Sequence, residues 1–141
     1  MKYVGAVIDT NVIVAGALTN DPGSPTAKIL DGMCRGVFPF LLSTSLLSEY
    51  REVLLRKKIR SLHRLSEREI DSLLTVLASN AIVREPKPRD GASDANDEHV
   101  WSLVQSEPGC VLVTGDHALI EHPPRLAPVI SPRQFVEALS K

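Results

Sequence analysis

Four carboxylates stand where apolar segments of this sequence give way to polar residues. They are Asp9, Glu49, Asp97 and Asp116. The first and the last each follow a short apolar run (3–8 and 110–113), whereas the middle two lie in the first turns of predicted helices. An apolar run that ends in a carboxylate is typical of a buried strand whose end reaches a polar crevice. We therefore look for chemistry at these four positions.

The elements that must position these carboxylates alternate along the chain. Apolar runs predict strands over 3–8, 37–42, 81–84, 110–113 and 129–130. Helical spacing and capping residues predict helices over 11–18, 26–35, 46–60, 67–80, from 94–97 onwards, over 117–121 and over 132–139, with an exposed loop over 85–93. This alternation predicts an α/β fold with a mainly parallel central sheet of about four to five strands and helices on both faces.

In a parallel sheet, all four carboxylates belong to the carboxyl edge and converge on one crevice. Negative charges a few ångströms apart repel each other unless a cation lies among them. Oxygen ligands suit Mg²⁺ or Mn²⁺, whereas a zinc site would need histidines. His63 and His99 are isolated in the sequence, and His117 and His122 lack the i, i+4 spacing of a helical pair. Carboxylate-held Mg²⁺ activates water and neutralises a phosphoryl oxygen, so the chemistry implied is phosphodiester hydrolysis.

Each carboxylate also has a simpler interpretation when it is taken alone. Asp97 suits the third residue of a helix that is capped by Asp94, and Asp116 suits an N-cap. Glu49 suits an exposed helix position and Asp9 a turn. The repulsion among four such groups at one sheet edge favours the metal interpretation over these four separate ones.

The composition is that of an ordinary globular domain. The chain has 141 residues, of which 43% are hydrophobic, 23% charged and 4% aromatic, and its net charge is -1. These values favour a single domain over 1–141 and exclude wholesale disorder and a global attraction to polyanions. Cys34 and Cys110 have the character of buried core residues in a reducing compartment. Because residues 1–5 lack a signal-peptide core and no apolar run would span a bilayer, we expect a cytoplasmic protein.

Basic residues are concentrated between positions 51 and 68. Seven of the 16 lysines and arginines lie there: Arg51, Arg56, Lys57, Lys58, Arg60, Arg64 and Arg68. Such a run is either a solvated helix end or a rim that binds phosphates beside the acidic crevice. The first five are the candidate contacts to substrate phosphates. With few aromatic residues for base stacking, no sequence-specific readout is visible.

Four short motifs resemble those of a known family. Ile-Asp-Thr-Asn-Val (8–12), Ser-Glu-Tyr (48–50), Asp-Ala-Asn-Asp-Glu (94–98) and Val-Thr-Gly-Asp (113–116) look like the four acidic motifs of the PIN domain, in the same order. The resemblance covers nearly the whole chain. It is greatest to the branch of toxin components of toxin–antitoxin systems, of the VapC-like type.

This resemblance implies a ribonuclease that depends on Mg²⁺ or Mn²⁺ and hydrolyses single-stranded RNA. Asp9, Asp97 and Asp116 would be inner metal ligands, and Glu49 a further ligand or the base that orients the water. The implied partners are the RNA, a cognate antitoxin protein and a second copy of the chain in a homodimer.

The resemblance also suggests which residues support the metal. Asn11 and Thr114 would lie beside it, and Thr10 would help to hold Asp9 by hydrogen bonding. In the third motif, the apolar Val100 three residues after Asp97 fits the family spacing, so Asp97 is preferred as the ligand. Asp94 lies one helical turn earlier and remains open as a cap, an outer ligand or both.

Two other enzyme classes also place an aspartate after a first strand. Phosphatases with an aspartate nucleophile need Asp-x-Asp there, whereas Asp9 is followed by Thr10 and Asn11. Receiver domains need an acidic pair near the first strand and an aspartate after the third, which this chain lacks. A scaffold that only binds RNA or a protein remains as a non-enzymatic alternative, although such a binder gains nothing from four carboxylates facing phosphates.

Overall fold

The computed structural model of the protein describes residues 1–87, 95–125 and 127–140, with the backbone alone at 95–97. Strands and helices alternate along these residues. The strands are β1 (Gly5–Ile8), β2 (Leu41–Leu42), β3 (Ile82–Val83), β4 (Cys110–Val113) and β5 (Val129–Ile130). The helices are α1 (Thr10–Leu18), α2 (Pro25–Arg35), α3 (Thr44–Leu54), α4 (Lys57–His63), α5 (Glu67–Asn80), α6 (Ala95–Gln105), α7 (His117–Glu121) and α8 (Pro132–Leu139).

The strands run parallel in every pairing among the described residues. β1 pairs with β4 from Gly5 opposite Cys110 to Ile8 opposite Val113, and β4 pairs with β5 on its other side. β2 pairs with β3, and a single parallel bridge from Ala6 to Phe40 joins this pair to β1. The predicted α/β class with a parallel sheet is therefore confirmed.

The sheet is shorter than its apolar runs predict. The run 37–42 forms strand only at 41–42 with a bridge at Phe40, because Val37 is exposed and Pro39 has no N–H to donate to a ladder. β1 and β4 are buried at all four of their positions, so packing covers both faces of the sheet centre. Their carboxyl ends therefore lie at the rim of the core.

The helix predicted over 46–60 is two helices. α3 ends at Leu54, and the extended backbone of Arg56 turns the chain before α4 begins at Lys57. His63 at the end of α4 lies 2.8 Å from the carbonyl oxygen of Leu54 through Nε2, and so satisfies an acceptor that the ended helix leaves open. This tertiary contact has no local sequence signal.

Part of the predicted loop 85–93 lies outside the described residues, and so does Asp94. No helix in the described part of the chain is both long and apolar enough to cross a membrane.

The turn before β4 yields a stability prediction. Gly109 has a φ of 91°, its carbonyl accepts a hydrogen bond from Val4 at 3.0 Å, and an added Cβ would lie 2.8 Å from the Val4 side chain. We expect Gly109→Ala to lower the free energy of unfolding by roughly 1–3 kcal/mol, through a strained φ and a displaced β1. Denaturant unfolding measures this change. The control is Gly23→Ala, at an exposed glycine without a positive φ, and an equal loss in both variants would contradict the account.

Candidate active site

The first wall of the site forms where β1 ends. Asp9 continues the strand pairing by one residue, since its N–H donates to the carbonyl of Val113 at 2.9 Å. Its Oδ1 accepts the N–H of Thr10 at 2.9 Å, which caps α1. The carboxylate therefore stands between the sheet and the amino end of a helix, as expected for a functional group at the carboxyl edge of a parallel sheet.

Thr114 connects the ends of β1 and β4. Its side chain is fully buried, and its hydroxyl donates to Asp9 Oδ2 at 2.8 Å. Thr114 Oγ1 itself accepts the N–H of Asp116 at 3.1 Å and the amide N–H of Asn11 at 3.2 Å. Asn11 Oδ1 in turn accepts the N–H of Gly115 at 2.8 Å. Two of the predicted carboxylates and two of the predicted supporting residues thus share one hydrogen-bonded network.

Asp116 caps a helix and also lines the cleft. Its Oδ1 caps the short α7 by accepting the N–H groups of Ala118 at 3.0 Å and Leu119 at 3.4 Å. The residue is exposed and lines the same cleft as Asp9. Capping fixes its orientation without removing the carboxylate from the cleft.

The opposite wall is formed by α3, which begins at the Ser43 cap and carries Glu49 near its middle. The hydroxyl of Thr10 donates to Glu49 Oε2, so the helix after β1 and the helix after β2 are directly linked. Glu49 Oε1 lies 3.2 Å from His99 Nε2 on α6. Three elements therefore determine where this carboxylate stands.

These groups line a cleft of about 800 Å³. Its polar lining consists of carboxylates, a hydroxyl, an amide and the guanidinium of Arg56, and its apolar lining comes from α1, α3 and α7. The lining residues are Asp9, Thr10, Asn11, Val14, Ala15, Leu18, Glu49, Glu52, Val53, Arg56, Asp116 and Leu119.

Comparison with known proteins decides the family. The model of the PIN domain family matches residues 5–118, which contain both strand-end acids, Glu49 and the third motif. The chain belongs to the PIN domain family. It is also similar to a protein of Methanocaldococcus jannaschii named "Uncharacterized protein MJ1680", with 31% identity over 117 residues, which are 83% of this chain and 74% of the relative. PIN domains are in general metal-dependent nucleases that act on RNA.

The described side chains bring together three of the four predicted PIN carboxylates. Asp9, Glu49 and Asp116 line one cleft, whereas the side chain of Asp97 and the whole of Asp94 lie outside the described residues. Among the described side chains, no three His, Cys, Asp or Glu residues stand close enough together to hold a metal ion. The donors of the cleft are nevertheless carboxylate, hydroxyl and amide oxygens, without thiolate, which is the donor set that suits Mg²⁺ or Mn²⁺.

The five basic residues predicted as phosphate contacts in this PIN domain fall into two environments. Arg56 lines the cleft and lies 3.8 Å from Glu52, and the exposed Lys57, Lys58 and Arg60 follow on α4. Arg51 instead joins α3 to α5, with its guanidinium 2.7 Å from both Asp71 and Glu67. Hydrogen bonding to Arg51 lowers the pKa of the Asp71 carboxyl.

Sequence reasoning missed two residues of the site. In the sequence, His99 is isolated from the other histidines, and Tyr50 stands only as the last residue of the Ser-Glu-Tyr motif. Tyr50 is fully buried, and its hydroxyl donates to the carbonyl of Ile8, the residue before Asp9. The signal available for both was position in the sequence, since Tyr50 directly follows Glu49 and His99 directly follows the third motif, 94–98.

Tyr50 predicts a specific alkaline sensitivity. Burial, and then the negative charges of Asp9 and Glu49, raise its pKa well above the ordinary value. Stability linked to this proton is fully present below about pH 10, the usual tyrosine pKa, and is lost as the pH rises further, because the unfolded chain gives up the proton first.

We therefore expect the free energy of unfolding to fall above about pH 10, with a contribution of up to about 1.4 kcal/mol per pH unit from this one proton. Tyr50→Phe should remove that contribution, and Tyr3→Phe serves as the control. Denaturant unfolding across pH 8–11.5 measures it, and equal slopes in wild type and Tyr50→Phe would refute it.

Proposed function

We propose that this PIN domain protein is an endoribonuclease that hydrolyses phosphodiester bonds of single-stranded RNA with Mg²⁺ or Mn²⁺. The observation that carries the proposal is the network that fixes Asp9, Thr114 and Asp116 at one sheet edge, with Glu49 facing them across the same cleft. An RNA-binding surface without a cation would be weakened by these carboxylates, because they repel phosphates. A divalent cation among them would reverse the sign of that interaction.

The residues have distinct roles in this mechanism. Asp9 and Asp116, together with Asp97, would hold the cation, which when bound supplies positive charge to a phosphoryl oxygen and to the attacking water. Glu49 would serve as a further ligand or would orient the water. Thr10, Asn11 and Thr114 hold these carboxylates in place by the hydrogen bonds described above, and Asp94 remains a candidate outer ligand.

The rest of the cleft suits a single RNA strand. Arg56 lies on the rim, where its guanidinium would bind a phosphate, and α4 extends this basic surface with Lys57, Lys58 and Arg60. The apolar surface of Val14 and Leu18 offers a contact for ribose or base faces, without the hydrogen-bonding groups that would read a sequence.

We further propose that the chain is a single domain that acts in the cytoplasm as the toxin of a toxin–antitoxin pair, as a homodimer held in check by a cognate antitoxin. The support is the resemblance of its four motifs to that branch of the family. The alternative is an RNA-processing or non-catalytic PIN scaffold that binds RNA or a protein partner. Growth arrest on expression of wild type but not of Asp9→Asn favours the toxin, and unaffected growth with both favours the alternative.

The proposed metal centre can be tested by removing the charge of one ligand. Asp9→Asn keeps the shape of the side chain but removes its charge, so we expect cleavage of single-stranded RNA with Mg²⁺ or Mn²⁺ to fall by about a hundredfold. Excess chelator should abolish wild-type cleavage, and added Mn²⁺ should restore it.

The matched control is Asp31→Asn, an exposed carboxylate on α2 that does not line the cleft. It should cleave at the wild-type rate. Cleavage that survives both the chelator and Asp9→Asn would refute the proposed function.

The proposed phosphate contacts can be tested by the salt dependence of RNA binding. Arg56→Gln should weaken RNA binding, and the slope of log affinity against log salt should fall by about 0.7, the value for one lost contact to a single strand. Arg51→Gln should change the slope less, because Glu67 and Asp71 hold its guanidinium. Arg35→Gln on α2 is the control, and binding titrations at several salt concentrations measure the slopes. Equal slopes in Arg35→Gln and Arg56→Gln would contradict the proposed phosphate contact.

A further inference from the structure

His99 and Thr10 contact different oxygens of the Glu49 carboxylate. Its Nε2 lies 3.2 Å from Glu49 Oε1, while the Thr10 hydroxyl donates to Oε2 of the same carboxylate. We propose that His99 is a positioning residue which, with Thr10, forms a two-donor clamp that fixes the orientation of Glu49. The functional consequence rests on the proposed nuclease activity, whereas the clamp itself is a statement about geometry.

The chemistry of the pair assigns the proton. An ionised carboxylate only accepts hydrogen bonds, so the contact requires the proton on His99 Nε2. A carboxylate held at one oxygen is free to rotate about its last torsion, since sp³–sp² torsions are broad. Donors at both oxygens, one from α1 and one from α6, remove that freedom.

Burial supports the assignment. The side chains of His99 and Glu49 are only 22% and 30% exposed. His99 Nδ1 is buried and makes no hydrogen bond within the described structure, so the ring gains its polar contact there through Nε2 alone. The bond from Nε2 to Glu49 orients a ring whose other nitrogen has no partner among the described residues.

The clamp also links two helices of the site. Glu49 belongs to α3 and His99 to α6, the helix whose first turn contains Asp97. A bond between them holds the backbone of α6 against α3. The position of the third motif relative to the cleft therefore depends in part on this contact.

Paired substitutions test the effect on catalysis. His99→Leu removes the donor, and we expect kcat to fall roughly 10- to 100-fold, as for other groups that orient metal-site residues, with little change in KM. His99→Gln carries an amide N–H at a similar reach and should retain more activity than His99→Leu. Equal losses in the two variants, with unchanged thermal unfolding midpoints, would overturn the proposal.

Nitrogen-15 NMR of the histidine rings tests the clamp without any activity. We expect a slowly exchanging Hε2 proton on His99 that disappears in Glu49→Ala. His63 is the internal reference, because Leu65 donates to its Nδ1 and its Nε2 proton therefore faces the carbonyl of Leu54. Its Hε2 signal should persist in Glu49→Ala.

The two arms separate the possible failures. A His99 Hε2 that is unchanged in Glu49→Ala overturns the clamp, even if the wild type cleaves RNA. A wild type that does not cleave RNA overturns the proposed function, and the NMR result then decides the clamp alone. If His99→Leu does not fold, the activity of His99→Gln and the NMR spectrum of Glu49→Ala still test the clamp.

Discussion

The parallel pairing of β1 with β4 is the constraint on which the rest of the site depends. It aligns the two strand ends, so that the N–H of Asp9 reaches Val113 and the Thr114 hydroxyl reaches the Asp9 carboxylate at 2.8 Å. Because Thr114 is fully buried, its hydroxyl must be satisfied by neighbours, and the partners are site residues. The network that fills this polar position at the edge of an apolar core also orients the acids of the cleft.

The second wall is attached to the first by contacts of two kinds. Tyr50 on α3 donates from the core to the carbonyl of Ile8, immediately before Asp9, while the buried Thr10 on α1 donates to Glu49 on α3. A shift of α3 would break both bonds. The capping bonds of Asp9 and Asp116 also help to fix the site, because each holds a carboxylate at the start of a helix. Helix capping and the proposed metal binding are therefore compatible uses of the same residues.

The sequence was sufficient for the fold class, and it singled out three carboxylates, Asp9, Glu49 and Asp116, that line one cleft in the structure. The apolar runs before Asp9 and Asp116 indicated buried strands, because a strand that is covered on both faces is apolar at every position. The two acids were therefore expected at the carboxyl ends of those strands. The division between α3 and α4 was not predictable, since it depends on a tertiary contact of His63 and Leu54 and not on a helix-breaking residue. His99 was missed for the same reason, as its partner Glu49 lies 50 positions away. The structure leaves the choice between Asp94 and Asp97 as a prediction.

The central claim is that a divalent cation binds among the carboxylates of this cleft. Diffraction from crystals grown with Mn²⁺, measured at a wavelength where manganese scatters anomalously, tests it most directly. We expect one or two anomalous peaks with carboxylate oxygens of Asp9 and Asp116 at about 2.0–2.2 Å, near the distance of hard octahedral cations. The absence of a peak in the cleft at saturating Mn²⁺, or a peak that no oxygen of Asp9 contacts, would contradict it.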